Sequence, residues 1–145
     1  MKQQNYDNHV QFYPAHHFVF YPVLMLCCGF SGYKAATSTD HQQEWLALVV
    51  VFLMIGWVSF MLRQHYALGN QNRLVRLEMR LRYFQLTNLR LETMEDKLSF
   101  GQIAALRFAS DAELPGLVQR AITENLSADA IKKSIVNWLP DNMRV

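Results

Sequence analysis

The stretch that decides the fold is residues 45–62, WLALVVVFLMIGWVSFML. It contains no ionisable side chain. An α-helix of this length rises about 27 Å, close to the roughly 30 Å hydrocarbon core of a bilayer. A buried helix of a soluble protein usually keeps a polar stripe, and this stretch has none. We therefore predict a transmembrane helix over residues 45–63, with Arg63 at the aqueous boundary.

A second apolar region lies upstream and predicts another transmembrane helix over residues 16–36. Pro22 interrupts its apolar core and kinks a helix unless a neighbour satisfies the freed carbonyl. A signal peptide is the alternative, but the region follows 15 mostly polar residues and no small-residue cleavage motif comes after it. Two spans are therefore favoured, with Gly29 and Gly32 as sites of close helix packing.

The charges on either side of the two spans orient them. The connector, residues 37–44, carries Asp40 and Glu44 but no Arg or Lys, whereas residues 63–90 carry six Arg and one Glu. Positive residues stay in the cytoplasm, so both termini are predicted there, with residues 1–15 as a cytoplasmic N-terminal segment and Lys2 on the same side. Lys34, just before the connector, is the one charge that opposes this orientation. The spacing of Asp40 and Gln43 also fits a capping box at the start of the second helix.

Residues 64–95 are predicted to form a basic amphipathic helix and a connector, with the helix continuous through Gly69. Four apolar residues share one face at the 3-4-3 spacing of a coiled-coil seam and form a predicted interaction stripe: Leu74, Leu77, Leu81 and Phe84. A ridge of arginines adjoins it: Arg73, Arg76, Arg80 and Arg82. A second apolar stripe, Val75, Met79 and Leu86, lies on the far side. Two stripes indicate contacts in two directions, one with the chain's own domain and one with a partner.

Residues 96–145 are predicted to form a small cytoplasmic helical domain. Ser99 with Gln102 and Ser110 with Glu113 fit capping boxes, and Ser127 fits an N-cap. Ten residues are predicted to form the core: Ile103, Leu106, Leu114, Leu117, Val118, Ile122, Leu126, Ile131, Ile135 and Trp138. A core of this size is marginal by itself. The predicted fold is thus all-α: a two-helix transmembrane hairpin whose second span extends, as an amphipathic helix, into a small cytoplasmic helical domain.

Few residues offer chemistry. His16, His17 and His65 would lie at one membrane interface of the hairpin, where they are candidate metal ligands or, as we favour, amphipathic interface residues. No C-x-x-C, H-E-x-x-H, G-x-S-x-G or Gly-rich phosphate loop accompanies them. The adjacent Cys27 and Cys28 fit small apolar residues of the first span. We therefore predict no catalytic residue, no metal and no cofactor.

Four stretches together resemble a known family. They are QNYDNHVQFYPAHHFVFYP (4–22), RLEMRLR (76–82), ALRFASDAELPGLVQRA (105–121) and IKKSIVNWLPDNMRV (131–145). The combination resembles an uncharacterised family of small bacterial two-span membrane proteins, known as a domain of unknown function. The resemblance covers nearly the whole chain and implies the bacterial inner membrane. It brings no assigned activity, ligand or catalytic residue.

The leading functional hypothesis is a non-enzymatic accessory or scaffold subunit in the membrane. It would dock on a larger complex of the respiratory, secretion or translocation type and present a helical interaction domain to the cytoplasm. The alternative is a membrane tether that binds RNA, ribosomes or anionic lipid through the arginine ridge. The net charge of only +2 does not favour nucleic acid for the chain as a whole. A third possibility is a homo-oligomer that self-associates along Leu74, Leu77 and Leu81.

Overall fold

The computed structural model describes residues 4–10 and 12–141; their regular secondary structure is entirely helical, with no strand among them and one isolated bridge between Ala109 and Trp138. The prediction of an all-α fold is confirmed. The chain divides into two compact units. The hairpin unit comprises Phe12–Gly69, and the C-terminal unit combines the described N-terminal residues with the chain from Asn70 onward. Lys2, used for the charge rule, and residues 142–145 of the predicted C-terminal domain lie outside the described residues.

Two helical runs make up the hairpin unit, and the second continues beyond it. A π-helical turn, Ala15–Phe20, leads into α1, Tyr21–Thr37. Helix α2, Gln42–Met61, passes through a second π-helical turn, Leu62–Ala67, into α3, Leu68–Thr87. The second run is therefore helical from Gln42 to Thr87, through Gly69. Both runs are long and apolar enough to cross a membrane, by length and composition alone.

Helices α1 and α2 lie side by side and antiparallel. Phe30 meets the edge of Trp45, with ring centroids 5.7 Å apart. Toward the other end, Arg63 Nη1 donates to His17 Nε2 at 3.1 Å. Residues later in the second helical run thus contact residues earlier in the first run, so the two helices form an antiparallel hairpin.

The close approach between these helices lies at Gly56, not at the predicted Gly29 and Gly32. A Cβ at Gly56 would come within 3.1 Å of Leu24 Cδ2, whereas one at Gly29 or Gly32 would meet nothing within 4 Å. The two predicted glycines lie where α1 leaves open space beside it. Gly29 and Gly32 thus make no close helix contact within the described chain, and their role in helix packing stays a prediction.

The first helical run accommodates Pro22 with a π-helical turn. Pro22 is the second residue of α1, and the Tyr21 N–H just before it donates to the His16 carbonyl, five residues back. Proline has no backbone N–H, so one carbonyl of the preceding turn loses its usual donor. A π-helical turn at this point shifts the hydrogen bonds by one residue and so changes which carbonyl lacks a donor. The helical run therefore continues past the proline that was predicted to kink it.

The connector between the two helices is shorter than predicted. Helix α1 ends at Thr37 and α2 begins at Gln42, so residues 38–41 replace the predicted 37–44. His41 is the N-cap of α2, and no side chain caps the helix there. The predicted capping box of Asp40 and Gln43 is wrong, because the helix begins one residue later than that box requires.

The C-terminal unit contains α3, two short 3₁₀ turns, Leu91–Thr93 and Glu95–Lys97, and three short helices. These are α4, Phe100–Leu106, α5, Leu114–Thr123, and α6, Ala128–Ser134. All ten predicted core residues belong to its hydrophobic cluster; Ile122, Leu126 and Trp138 are partly buried there and the others are buried. The sequence did not identify the contributions of Tyr83, Leu91, Leu98 and Phe108, which are also buried.

Helix α3 supplies one wall of this core. Val75, Met79 and Tyr83 are buried at i, i+4 and i+8, which places them on one side of the helix. The second predicted stripe is correct for Val75 and Met79, whereas Leu86 stays partly exposed and Tyr83 takes its place. Helix α3 thus completes the core of the C-terminal domain.

The caps of the short helices decide where they begin. Ser99 and Gln102 form the predicted capping box of α4, and Ser127 caps α6 by accepting from the Ala130 N–H. The predicted box of Ser110 and Glu113 does not form, because α5 begins at Leu114 with Pro115 in its first turn. That start removes the conflict with proline, which tolerates the first turn of a helix.

The described N-terminal residues pack within the C-terminal unit, so the predicted separate segment 1–15 is divided. Gln4 is buried, and its Oε1 accepts from the Asp141 N–H at 2.8 Å. The His9 ring lies 5.9 Å from both the Phe108 and the Trp138 rings. The chain segments that flank the hairpin at its two ends therefore belong to one folded unit.

Replacing Ser99 with alanine tests the capping box. Ser99→Ala removes the side-chain acceptor of the Gln102 N–H, and we expect a loss of about 1 kcal/mol in the free energy of unfolding. Chemical denaturation of the full chain in detergent, followed by circular dichroism, measures it. Ser110→Ala is the matched control and should change stability by clearly less, because Ser110 caps no helix. Equal losses for the two variants would contradict the assignment.

Candidate interaction surface on helix α3

Helix α3 exposes the apolar stripe that the sequence singled out. Leu74, Leu77, Leu81 and Phe84, here called the Leu74 stripe, are between 48% and 62% exposed. They lie on the opposite side of the helix from the buried Val75, Met79 and Tyr83. Because the domain's own core is complete without them, their exposure is not a packing defect. A contiguous exposed apolar patch of this kind is typical of an interaction site.

A shallow groove runs along this stripe. The connector that follows α3 forms its other wall, and its volume is about 400 Å³. The residues that line it are Leu77, Arg80, Leu81, Phe84, Arg90 and Glu92. The groove is apolar on its floor and charged on its wall, an arrangement suited to a helix with an apolar face.

Two arginines of the predicted ridge bind a carboxylate of their own chain. Glu95 accepts from Arg76 Nη1 and from Arg80 Nε, the latter at 2.7 Å. Its side chain is only 9% exposed, although Glu95 belongs to the connector that the sequence predicts. The Arg76 guanidinium also lies over the Phe100 ring, 5.5 Å from its centroid. The sequence does not reveal the pairing of Glu95 with Arg76 and Arg80, because Glu95 follows them by 19 and 15 residues and no local motif spans such separations.

The charge of Glu95 is stabilised by these arginines. Partial burial by itself raises the pKa of Glu95, but the hydrogen bonds from Arg76 and Arg80 and their positive charges outweigh it. The pKa of Glu95 is therefore held below its ordinary value of 4.5. A carboxylate with a lowered pKa stabilises the fold above its unfolded pKa, and this contribution is lost as the pH falls through the folded value.

The third arginine, Arg82, holds the loop after α4. Its guanidinium donates to Asp111 Oδ1 at 2.7 Å, to the Arg107 carbonyl at 3.1 Å and to the Ala109 carbonyl at 2.6 Å. Such a fork of donors gives both direction and strength. Arg82 therefore serves the fold of the domain.

The fourth arginine, Arg73, is exposed, as is Glu78 on the other flank of the Leu74 stripe. Within residues 4–10 and 12–141, neither of them has an ion-pair partner within 4.0 Å. The predicted ridge of Arg73, Arg76, Arg80 and Arg82 is thus divided. Three of its members bind groups of their own chain, and one faces solvent.

The three histidines that the sequence singled out, His16, His17 and His65, all lie in the hairpin unit. His16 stacks on Phe20 with ring centroids 5.4 Å apart, and its Nε2 is buried. His17 pairs with Arg63, and His65 is exposed in the second π-helical turn. Over the part of the chain that the structure describes, no group of three or more His, Cys, Asp or Glu side chains could hold a metal ion. These residues therefore present no built metal site.

Glu95→Gln tests the contribution of the ion pairs. Removing the charge between two partly exposed arginines should cost about 1–2 kcal/mol at pH 7. The difference from the wild type should shrink as the pH falls below 4.5, where the wild-type carboxylate loses its own charge. Denaturation curves at several pH values measure it. Glu92→Gln is the control, since Glu92 pairs only loosely with Arg90, at 3.4 Å. A loss that is independent of pH would contradict the assignment.

The comparisons with known proteins agree with the resemblance drawn from the sequence. No curated protein and no solved structure matches the chain. A family model, described as a family of unknown function (DUF6526), matches residues 1–145. The resemblance to an uncharacterised family is confirmed, while the bacterial origin and the two spans stay predictions. The chain belongs to the DUF6526 family of unknown function.

Proposed function

We propose that the chain is a non-enzymatic integral membrane accessory or scaffold subunit. It docks on a larger membrane protein complex and presents a helical interaction domain to the cytoplasm. The observation that carries the proposal is the exposed Leu74 stripe on α3, a helix whose opposite side is buried in the domain's own core. The stripe is an apolar surface that the fold holds in a fixed orientation.

The exposed side chains of the hairpin support a membrane location. Leu53, Met54 and Trp57 of α2 are 60–67% exposed, and α1 is similarly apolar on its surface. Two helices that expose this much apolar surface are unsuited to water, whereas a lipid environment covers them. Trp45 and Tyr66 lie near the two ends of the span, where aromatic residues suit the interface.

The charges and the folded C-terminal unit support the proposed topology. The arginine-rich stretch after the second span favours the cytoplasm. Residues 4–10 pack in the same unit as the chain after Asn70, which supports placing both flanks of the hairpin on one side. We infer the inner membrane of a bacterium, with both termini cytoplasmic.

The completeness of the domain core supports docking rather than folding as the role of the stripe. The chain buries Val75, Met79 and Tyr83 of α3 by itself. The Leu74 stripe is therefore free to bind another helix, and it lies directly beyond the π-helical turn that follows α2. A partner that reaches it belongs to the membrane-proximal cytoplasm.

The electrostatic tether is the weaker proposal, because Arg76, Arg80 and Arg82 bind oxygen atoms of their own chain. Binding to RNA, ribosomes or anionic lipid through several arginines would weaken steeply between about 50 and 200 mM salt. Association through the Leu74 stripe would largely survive that change, so salt separates the two proposals.

Native purification in mild detergent, followed by mass spectrometry, tests the proposal. The wild-type chain should co-purify with a larger membrane complex, and Leu77→Glu with Leu81→Glu should lower the recovery at least about tenfold, equivalent to about 1.4 kcal/mol. Val136→Glu is the matched control, because Val136 is 82% exposed and lies outside the stripe. Circular dichroism verifies that each variant is folded. A wild-type chain that runs alone would overturn the proposal.

A further inference from the structure

The Leu74 stripe has a definite coiled-coil register. Leu74 and Leu81 occupy a positions, and Leu77 and Phe84 occupy d positions. The flanking g positions are then Arg73 and Arg80, and the flanking e positions are Glu78 and Gln85. In a coiled coil these flanks face the partner helix and set both its identity and its direction.

The flanks are complementary to themselves when two copies run parallel. In that arrangement a g residue faces the e residue five positions later on the partner, so Arg73 faces the Glu78 of a second copy, and the reverse pair forms as well. Arg80 faces a neutral residue, Gln85. In an antiparallel pair g faces g, which would set Arg73 against the Arg80 of the other copy. The charges therefore select the parallel pairing.

The two residues that would pair are the ones that the fold leaves available. Arg73 and Glu78 are exposed, and neither has an ion-pair partner within 4.0 Å in the described ranges 4–10 and 12–141. They are five residues apart on one helix, a spacing at which side chains do not face each other. Arg80, in contrast, is already neutralised by Glu95.

A shared membrane would impose the same geometry. Copies with one topology place α3 in the same direction and the stripe at the same height above the bilayer. Anchoring also raises the effective concentration of each copy for the others, so a seam of only four residues can suffice. The charges, the exposed residues and the shared topology thus all favour a second copy of the chain as the partner of the Leu74 stripe.

We propose that a second copy of this chain docks on the Leu74 stripe. The two α3 helices form a parallel coiled coil, held by Leu74, Leu77, Leu81 and Phe84 and closed by two Arg73–Glu78 pairs between the copies. The inference rests on the proposed function in one respect, that the stripe is the assembly surface, and it names the partner seated there.

Disulfide crosslinking of the full chain in lipid vesicles tests the contact. In a background where Cys27 and Cys28 are replaced by alanine, Leu77→Cys should give at least fivefold more oxidised dimer than Asn72→Cys. Asn72 is the matched control, because it is exposed on the same helix but at an f position, away from the seam. Equal dimer yields for the two variants would overturn the proposal.

A charge exchange tests the register. Glu78→Arg and Arg73→Glu should each lower the dimer fraction several-fold, because each sets like charges against each other twice. The double variant Arg73→Glu with Glu78→Arg should restore the dimer. Energy transfer between labelled copies in vesicles measures the fraction, and circular dichroism verifies the fold. Singles that leave the dimer unchanged, or a double variant without rescue, would overturn the pairing.

A photoreactive side chain at Leu77 in native membranes separates this inference from the proposed function. An adduct with a different protein, without a homodimer in vesicles, overturns the second copy and leaves the proposed function standing. A homodimer in vesicles and in native membranes supports the second copy. A larger complex that still co-purifies then identifies the dimer as the docking unit, whereas a dimer recovered alone overturns the larger complex. The absence of any adduct or dimer overturns both.

Discussion

The burial of Val75, Met79 and Tyr83 fixes the rotation of α3 about its own axis, and the other surfaces of the C-terminal unit depend on it. Once that side is buried, the Leu74 stripe has to face away from the core. The helix cannot turn to hide the stripe without exposing Met79 and Tyr83. The exposed apolar surface is therefore the consequence of a satisfied core, and its orientation is as rigid as the core itself.

Ion pairs on both sides of the buried face hold the same rotation. Arg76 and Arg80 bind Glu95 along one side, and Arg82 binds Asp111 and two backbone carbonyls along the other. Arginines that suggest a nucleic-acid or lipid ridge in the sequence thus act mainly as clamps between α3 and the segments that follow it. Arg73 takes no part in these ion pairs and is exposed. The surface of α3 therefore offers the apolar Leu74 stripe with one cation, Arg73, and one anion, Glu78, beside it.

Local signals predicted the fold well where the physics is local. The capping box at Ser99, the cap at Ser127 and the apolar spacing of the core all depend on residues a few positions apart. Prediction failed where an interaction joins distant segments. Glu95 looked like part of a charged connector, and nothing near Gln4 or His9 in the sequence indicated Asp141 or Trp138 as neighbours. Ser110 and Asp40 belong to capping-box patterns, but neither box forms, because α5 begins at Leu114 and α2 begins at Gln42.

Accessibility labelling tests the proposed membrane hairpin with both flanks in the cytoplasm. In a chain without Cys27 and Cys28, single cysteines at Thr39 and at Val136 are treated with a membrane-impermeant maleimide in intact cells and after lysis. We expect the cysteine at Thr39 to react in intact cells and the cysteine at Val136 to react only after lysis. Equal labelling of both positions in intact cells, or labelling of Val136 alone, would contradict this topology.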